Sequence, residues 1–251
     1  MLAVSAALAP LRPETASGER HQQGNLIASL DGSLSPLQLP RKKLAPVALH
    51  LTGALQTEDG SALPRVTRLE FALPSQGALD TRGLPTCSPR RLRYASTEQA
   101  IASCGPALVG RGRLDAQIVL PDQPPFALRA RLLAFNARID GRPAVVVHGY
   151  APHPATIAVL RFRIGRSEGG LGTRLIGRLP RALGPWPRVA RFEMRLSRRF
   201  SYQGKPRSYL RASCPLPPAL TAGFFPLARV GFELAGGGRV AATIVRGCRA
   251  R

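Results

Sequence analysis

Between Arg198 and Arg211 the chain reads RRFSYQGKPRSYLR, the densest run of functional side chains in its 251 residues. Arg198, Arg199, Lys205, Arg207 and Arg211 alternate there with Phe200, Tyr202 and Tyr209. Cations interleaved with aromatic rings suit an anionic polymer. Guanidinium groups pair with phosphate, sulfate or carboxylate, while rings stack on bases or sugars. Gln203-Gly204 lies at the tip of what reads as a β-hairpin. These eight residues are therefore the candidate binding strip, although a hairpin that packs its rings and solvates its charges has the same pattern.

Other reactive types are sparse. The histidines are His21, His50, His148 and His153. His148 and His153 are flanked by Pro152 and Pro154 and have no carboxylate close by, so they read as exposed loop histidines and no metal is expected. Nucleophilic catalysis needs a Ser or Cys beside an oriented base, and no G-x-S-x-G occurs. Gly169-Gly170-Leu171-Gly172 lacks the Lys-Ser/Thr of a phosphate loop. Of the 14 acidic residues, Asp80, Asp115, Asp122, Asp140 and Glu168 sit mainly at turn positions, where Asp caps backbone. No catalytic residue and no cofactor is expected.

The four cysteines, Cys87, Cys104, Cys214 and Cys248, form no CxxC and have no histidine at zinc-finger spacing. Four allow three pairings; the local one, Cys87–Cys104 with Cys214–Cys248, is the simplest. Bridges imply an oxidising compartment. The apolar start MLAVSAALAPL, with Ala7-Leu8-Ala9 as an A-x-A pattern, places a truncated signal peptide or disordered leader over residues 1–25, its polar part from Arg12 to Asn25 flexible. No later stretch approaches 18 uninterrupted apolar residues, so no membrane-spanning helix is expected.

The formal net charge is +22, and only Lys42, Lys43 and Lys205 among 36 basic residues are lysine. Such a surface concentrates anions around it. Arg, Ala, Gly and Pro also share GC-rich codons, so genomic composition alone gives a similar balance. Gly and Pro together number 49, which fits many short strands joined by tight turns.

These residues need strands to position them. PRVTRLEFAL (Pro64 to Leu73) returns as PRVARFEMRL (Pro187 to Leu196), identical at six of ten positions at a constant offset of 123. Period two turns Thr67, Leu69, Phe71 and Leu73 inward and Arg68 and Glu70 outward. In the second copy Ala190, Phe192, Met194 and Leu196 turn inward, Arg191 and Glu193 outward. GRPAVVVHGY (Gly141 to Tyr150) is echoed by GRVAATIVRGC (Gly238 to Cys248). Asp140-Gly141 predicts a hairpin turn. Leu114 to Leu120 reads as a strand, and Pro152-His153-Pro154 as a linker. Ser96-Thr97-Glu98-Gln99 predicts a capping box on a short helix packed across a sheet end.

The motifs LSPLQLPRKKLAPVALHLTG, LDTRGLPTC, the Cys104 to Gly112 run, LAFNARIDGRPAVVVHGY, RRFSYQGKPRSYL and FFPLARVGFELAGGGR resemble an uncharacterised family of exported β-rich proteins from GC-rich soil actinobacteria, over about residues 26–251. The resemblance implies a secreted β-rich fold with cysteines placed as here. It implies no activity, ligand or catalytic residue.

The expectation is an exported all-β protein of two duplicated antiparallel β-sandwich-like units, 26–151 and 155–251, with one short helix between Cys87 and Cys104. Its expected role is a non-catalytic secreted or cell-envelope module for anionic cell-wall polymer or acidic polysaccharide, with nucleic acid disfavoured. The alternatives are a glycan-active hydrolase and a purely structural envelope protein.

Overall fold

The computed structural model describes residues 18–251 apart from 168–170 and 181–182, so the signal-peptide expectation for MLAVSAALAPL lies outside the described residues. The protein is all-β. Its strands are β1 (Glu19–Gln23), β2 (Leu26–Ser35), β3 (Gln38–Leu39), β4 (Ala45–Pro46), β5 (Ala48–Thr57), β6 (Val66–Pro74) and β7 (Gly77–Leu79). After the short helix α1 (Thr97–Cys104) come β8 (Leu108–Ile118), β9 (Phe126–Ile139), β10 (Arg142–Pro152), β11 (Ala155–Arg166), β12 (Leu171–Arg178) and β13 (Pro187–Leu196). The chain closes with β14 (Arg199–Tyr202), β15 (Lys205–Ser208), β16 (Leu210–Ala212), β17 (Ala222–Leu234) and β18 (Arg239–Ala250).

Thirteen strands make one curled sheet in the order β1-β2-β5-β13-β8-β9-β10-β11-β12-β6-β17-β18-β3. Every ladder in it is antiparallel except β18 with β3. The curl brings β2 against β18. Side chains bridge this seam. Arg246 Nε donates to the Gly32 carbonyl at 2.9 Å, its Nη2 meets Asp31 Oδ1 at 2.6 Å, and Glu19 Oε1 accepts the Val245 N–H at 3.0 Å.

The two expected units are therefore fused in one sheet. No linker divides the chain at residues 152–154, because β10 and β11 pair directly, from Ala144 with Arg163 to Pro152 with Ala155. The echoed strands also cross the expected boundary. β6, from the first segment, lies between β12 and β17 of the second, while β13, from the second, lies between β5 and β8 of the first.

Both echoed strands follow the predicted alternation with one shared departure. β13 pairs Val189 with Ala116 and then Arg191 with Asp115, leaving Ala190 as a bulge. β6 pairs Arg68 with Glu233 and Val66 with Leu234, leaving Thr67 as a bulge at the equivalent place. An extra residue in one strand reverses the facing beyond it. So Val66 and Val189, not Thr67 and Ala190, take the core positions, at 1% and 6% exposure. The Thr67 hydroxyl instead donates to the Glu233 carbonyl at 3.1 Å.

Local signals were sound elsewhere. Ser96 N donates to Gln99 Oε1 (2.8 Å) and Gln99 N to Ser96 Oγ (3.3 Å), closing the capping box of α1. Asp140 and Gly141 turn with φ of 51° and 73° between β9 and β10. Both disulfides form, Cys87–Cys104 and Cys214–Cys248. The helix does not cap a sheet end; its segment packs on the outer face of β9 and β10, where Cys87, Leu92, Ala95, Ala100 and Cys104 cover Phe135, Ala137, Ala144 and Val146. β8 begins six residues before the predicted Leu114, since Gly110 and Gly112 lie against β13. A Cβ on Gly112 would stand 2.0 Å from the Glu193 carbonyl oxygen. Part of the expected flexible lead is also ordered, as β1 pairs with β2 from Glu19–Leu30 to Gln23–Leu26.

The concave face of the sheet is apolar and the convex face carries Arg68, Glu70, Arg113, Arg161, Arg163, Arg178, Arg191 and Glu193. A barrel that spans a membrane has the opposite polarity, apolar outside and polar within. A three-stranded sheet, β4-β16-β7, closes one end of the curl.

Candidate binding site

The RRFSYQGKPRSYLR stretch forms the predicted hairpin, β14 with β15, from Arg199–Ser208 to Tyr202–Lys205. Most of it turns inward to seal that end of the sheet. Tyr209 is fully buried and Phe200 packs against the core. Arg207 Nη1 and Arg211 Nη2 lie 3.0 and 3.7 Å from Asp80 Oδ2, and Arg82 Nε lies 3.3 Å from Oδ1. Asp80 is only 4% exposed. Burial alone would raise its pKa, but the hydrogen bonds from Arg82 and Arg207 and the charge of Arg211 outweigh that and hold it below the usual carboxylate range.

Tyr202 is held between the Arg207 guanidinium, 5.7 Å from its ring centroid, and Gly83. Gly83 has φ of 75°, and a Cβ there would fall 2.0 Å from a ring carbon, so only glycine admits the ring. Arg198 is half-buried. Arg199 and Lys205 are the exposed members of the strip. The eight residues come together as expected, but Tyr209, Arg207 and Arg211 are spent on packing and on neutralising Asp80.

A different surface collects free cations. The segment before α1 is tied down at three points. Cys87 is bridged to Cys104, the buried Asn136 donates to the Leu84 and Pro85 carbonyls at 3.3 and 2.9 Å, and His148 Nε2–H donates to the Ala95 carbonyl at 2.8 Å. His148 is thus no loop histidine: it lies on β10 beneath this segment, fully buried, and burial pushes its pKa down. The anchored segment makes a 3-10 turn, Pro89–Leu92, and presents Arg93 and Tyr94 to solvent.

Between that turn and the outer faces of β11 and β12 runs an open groove of about 1290 Å³. Among the described residues five arginines line it, Arg68, Arg93, Arg161, Arg163 and Arg178, with Asp140 as the acidic member. Asp140 is taken by Arg163 at 2.9 Å, and Arg68 by Glu233 at 3.1 Å. Among the described residues Arg93, Arg161 and Arg178 have no carboxylate within ion-pair distance. Ile157, Val159 and Ile176 form an apolar floor, and Tyr94, 84% exposed, stands at the wall. Arg93 ends the short cluster Arg90-Arg91-Leu92-Arg93, and the other arginines come from three further segments, so the site is not contiguous in sequence.

A second recess holds three carboxylates, Glu98, Asp115 and Glu193, among Arg113, Arg129, Arg131 and Arg191. Glu193 accepts from Arg113 at 2.9 Å and lies 3.1 Å from His50 Nε2, and both bonds lower its pKa. The pKa of Glu98 is lowered by its own backbone N–H and by Ser96. Glycoside cleavage needs a carboxyl kept protonated near neutral pH, and these shifts run the other way. Among the described residues no cluster of three or more His, Cys, Asp or Glu could hold a metal, and no helix is long and apolar enough to cross a membrane.

Compared with known proteins, the chain matches no family model, no curated protein and no solved structure.

Proposed function

We propose that the protein is a non-catalytic, exported binding module for an anionic cell-envelope or extracellular polymer, and that the groove beside Tyr94 holds the ligand. One observation carries this reading: Arg93, Arg161 and Arg178 converge on one open, partly apolar groove without carboxylate partners among the described residues. Unpaired guanidinium groups on an apolar floor favour phosphate, sulfate or carboxylate over water, and an exposed tyrosine offers a face to a sugar ring. The hairpin tip, with Arg199 and Lys205, extends the basic surface. Two disulfides fit an oxidising compartment.

The test is a pull-down of the oxidised protein with isolated cell-wall polymer across a salt series. Binding should fall steeply as salt rises. The triple variant Arg93→Ser, Arg161→Ser, Arg178→Ser should lose about tenfold or more in affinity, equivalent to ~1.4 kcal/mol, with a shallower salt dependence. Absence of binding at low salt would return the protein to a purely structural role.

The same reading takes the two segments as products of duplication. The shared bulge at Thr67 and Ala190, and the placing of β6 and β13 each as the third strand beside its partner half (β11-β12-β6 and β2-β5-β13), support an origin in which two units exchanged their third strands.

A further inference from the structure

Strand register sets three arginines of the outer groove in a single row. β11 pairs with β12 through Phe162 and Gly177, so one step on Arg161 stands opposite Arg178. Arg178 in turn pairs with Arg68 on β6, and Arg68 with Glu233 on β17. Adjacent strands lie about 4.8 Å apart, and the Cβ atoms of directly opposed residues about 5 Å. Like charges placed directly opposite destabilise a sheet. The row relieves only part of that repulsion. Glu233 and Glu70 take Arg68 at 3.1 and 3.8 Å. Arg161 and Arg178 are both exposed, and among the described residues neither has a carboxylate within ion-pair distance.

The surroundings strengthen the pair. Val159 and Ile176 line the groove beside it, and Arg161 pairs across to Val146, which the segment before α1 covers. Apolar neighbours lower the local dielectric, and a charge-assisted contact made there gains by it. What the pair can hold follows from counting atoms and charges. A guanidinium takes two oxygens in a fork. A carboxylate or a phosphodiester offers two free oxygens and one negative charge, enough for one arginine. A phosphomonoester offers three oxygens and about −1.5 to −2 charges at pH 7. It can therefore fill both forks through a shared oxygen and cancel both charges.

We infer that Arg161 and Arg178 together hold one phosphomonoester group carried by the wall polymer. The inference rests on the reading of the groove as a polymer site, and the experiment separates the failure of one from the failure of the other.

Alkaline phosphatase strips monoesters from isolated wall polymer and leaves its diesters and carboxylates. Pull-down of the oxidised full chain at low salt should fall at least fivefold after that treatment. Equilibrium dialysis with glucose 6-phosphate and with glucuronate then compares a dianion and a monoanion on similar rings. At pH 8 glucose 6-phosphate should bind at a single site, at least tenfold tighter than glucuronate. At pH 5, below the second phosphate pKa of about 6, its affinity should fall about fivefold. Inorganic sulfate, doubly charged at both pH values, should compete equally at each; this arm separates titration of the ligand from titration of Asp140, Tyr94 and Tyr150, which also line the groove. Arg161→Gln and Arg178→Gln should each abolish the preference over glucuronate, and Arg229→Gln, on β17 outside the groove, should keep it. Relief of the like-charge pair should hold or raise the melting temperature of both groove variants at low salt. If neither folds, the pH and sulfate comparison on the parent chain decides. Treated polymer that binds as before, or glucuronate that binds as tightly as glucose 6-phosphate, overturns the phosphomonoester and leaves the polymer reading standing. Untreated polymer that does not bind at low salt overturns both.

Discussion

The two ends of the curled sheet are built on different terms. At one end β4, β16 and β7, the buried Asp80 with its three arginines, and the Cys214–Cys248 bridge make a closed plug. At the other, the strands stop at a rim of Leu179, Pro180, Leu183, Phe126 and Trp186, with large apolar side chains left partly in solvent. Side chains at the plug are committed to one another, whereas Phe126 and Trp186 at the rim stay partly in solvent. The difference teaches that the chain's most functional-looking sequence, the hairpin with its arginines and tyrosines, is mainly part of the packing that closes one end.

Three perturbations grade this contrast. The largest effect should follow Cys214→Ala with Cys248→Ala. That bridge spans 34 residues, and the chain-entropy estimate for such a loop is about 4 kcal/mol of lost stability, readable by chemical denaturation. Next comes Asp80→Asn, which leaves Arg207 and Arg211 half-buried without a counter-charge and should cost about 3 kcal/mol. Its pH dependence adds a signature. The folded pKa of Asp80 lies below its unfolded value, so its contribution is present above about pH 4 and is lost as pH falls through the folded pKa; acid melting curves of the variant should be flatter there. The smallest effect should come from Trp186→Ala at the rim, within about 0.5 kcal/mol. A Trp186→Ala loss that matched the Asp80→Asn loss would abolish the distinction between a closely packed end and a loosely packed one.

Much of the fold was legible where the signal is local. Alternation exposed β6 and β13, the capping box exposed α1, Asp140-Gly141 its hairpin, and nearness in sequence the two disulfides. Alternation says that a face is turned from water, not whether it meets a second face or a hollow, so two sandwiches were as good a reading as one curled sheet. The bulges at Thr67 and Ala190 leave no mark in residue type. β8 begins before the predicted Leu114 because the backbone that Gly110 and Gly112 admit is made some 80 residues later, around Glu193. The site was less legible than the fold. A cluster contiguous in sequence drew notice to Arg198–Arg211, whereas Arg93, Arg161 and Arg178 meet only through strand order.

The crossing of β6 and β13 also sets an order of events during folding. When β8 is complete, neither β5 nor β8 has its shared neighbour, since the strand that joins them runs from Pro187 to Leu196. β6 waits in the same way for β12 and β17. Neither half can close its sheet alone, and the earliest strands hold unpaired edges until nearly the whole chain has emerged. Long-range pairing of this kind makes folding slow and leaves edges open to wrong partners. The sheet closes only after β12, β13 and β17 have joined the earlier β5, β6 and β8, so the molecule reaches its native state only as a whole.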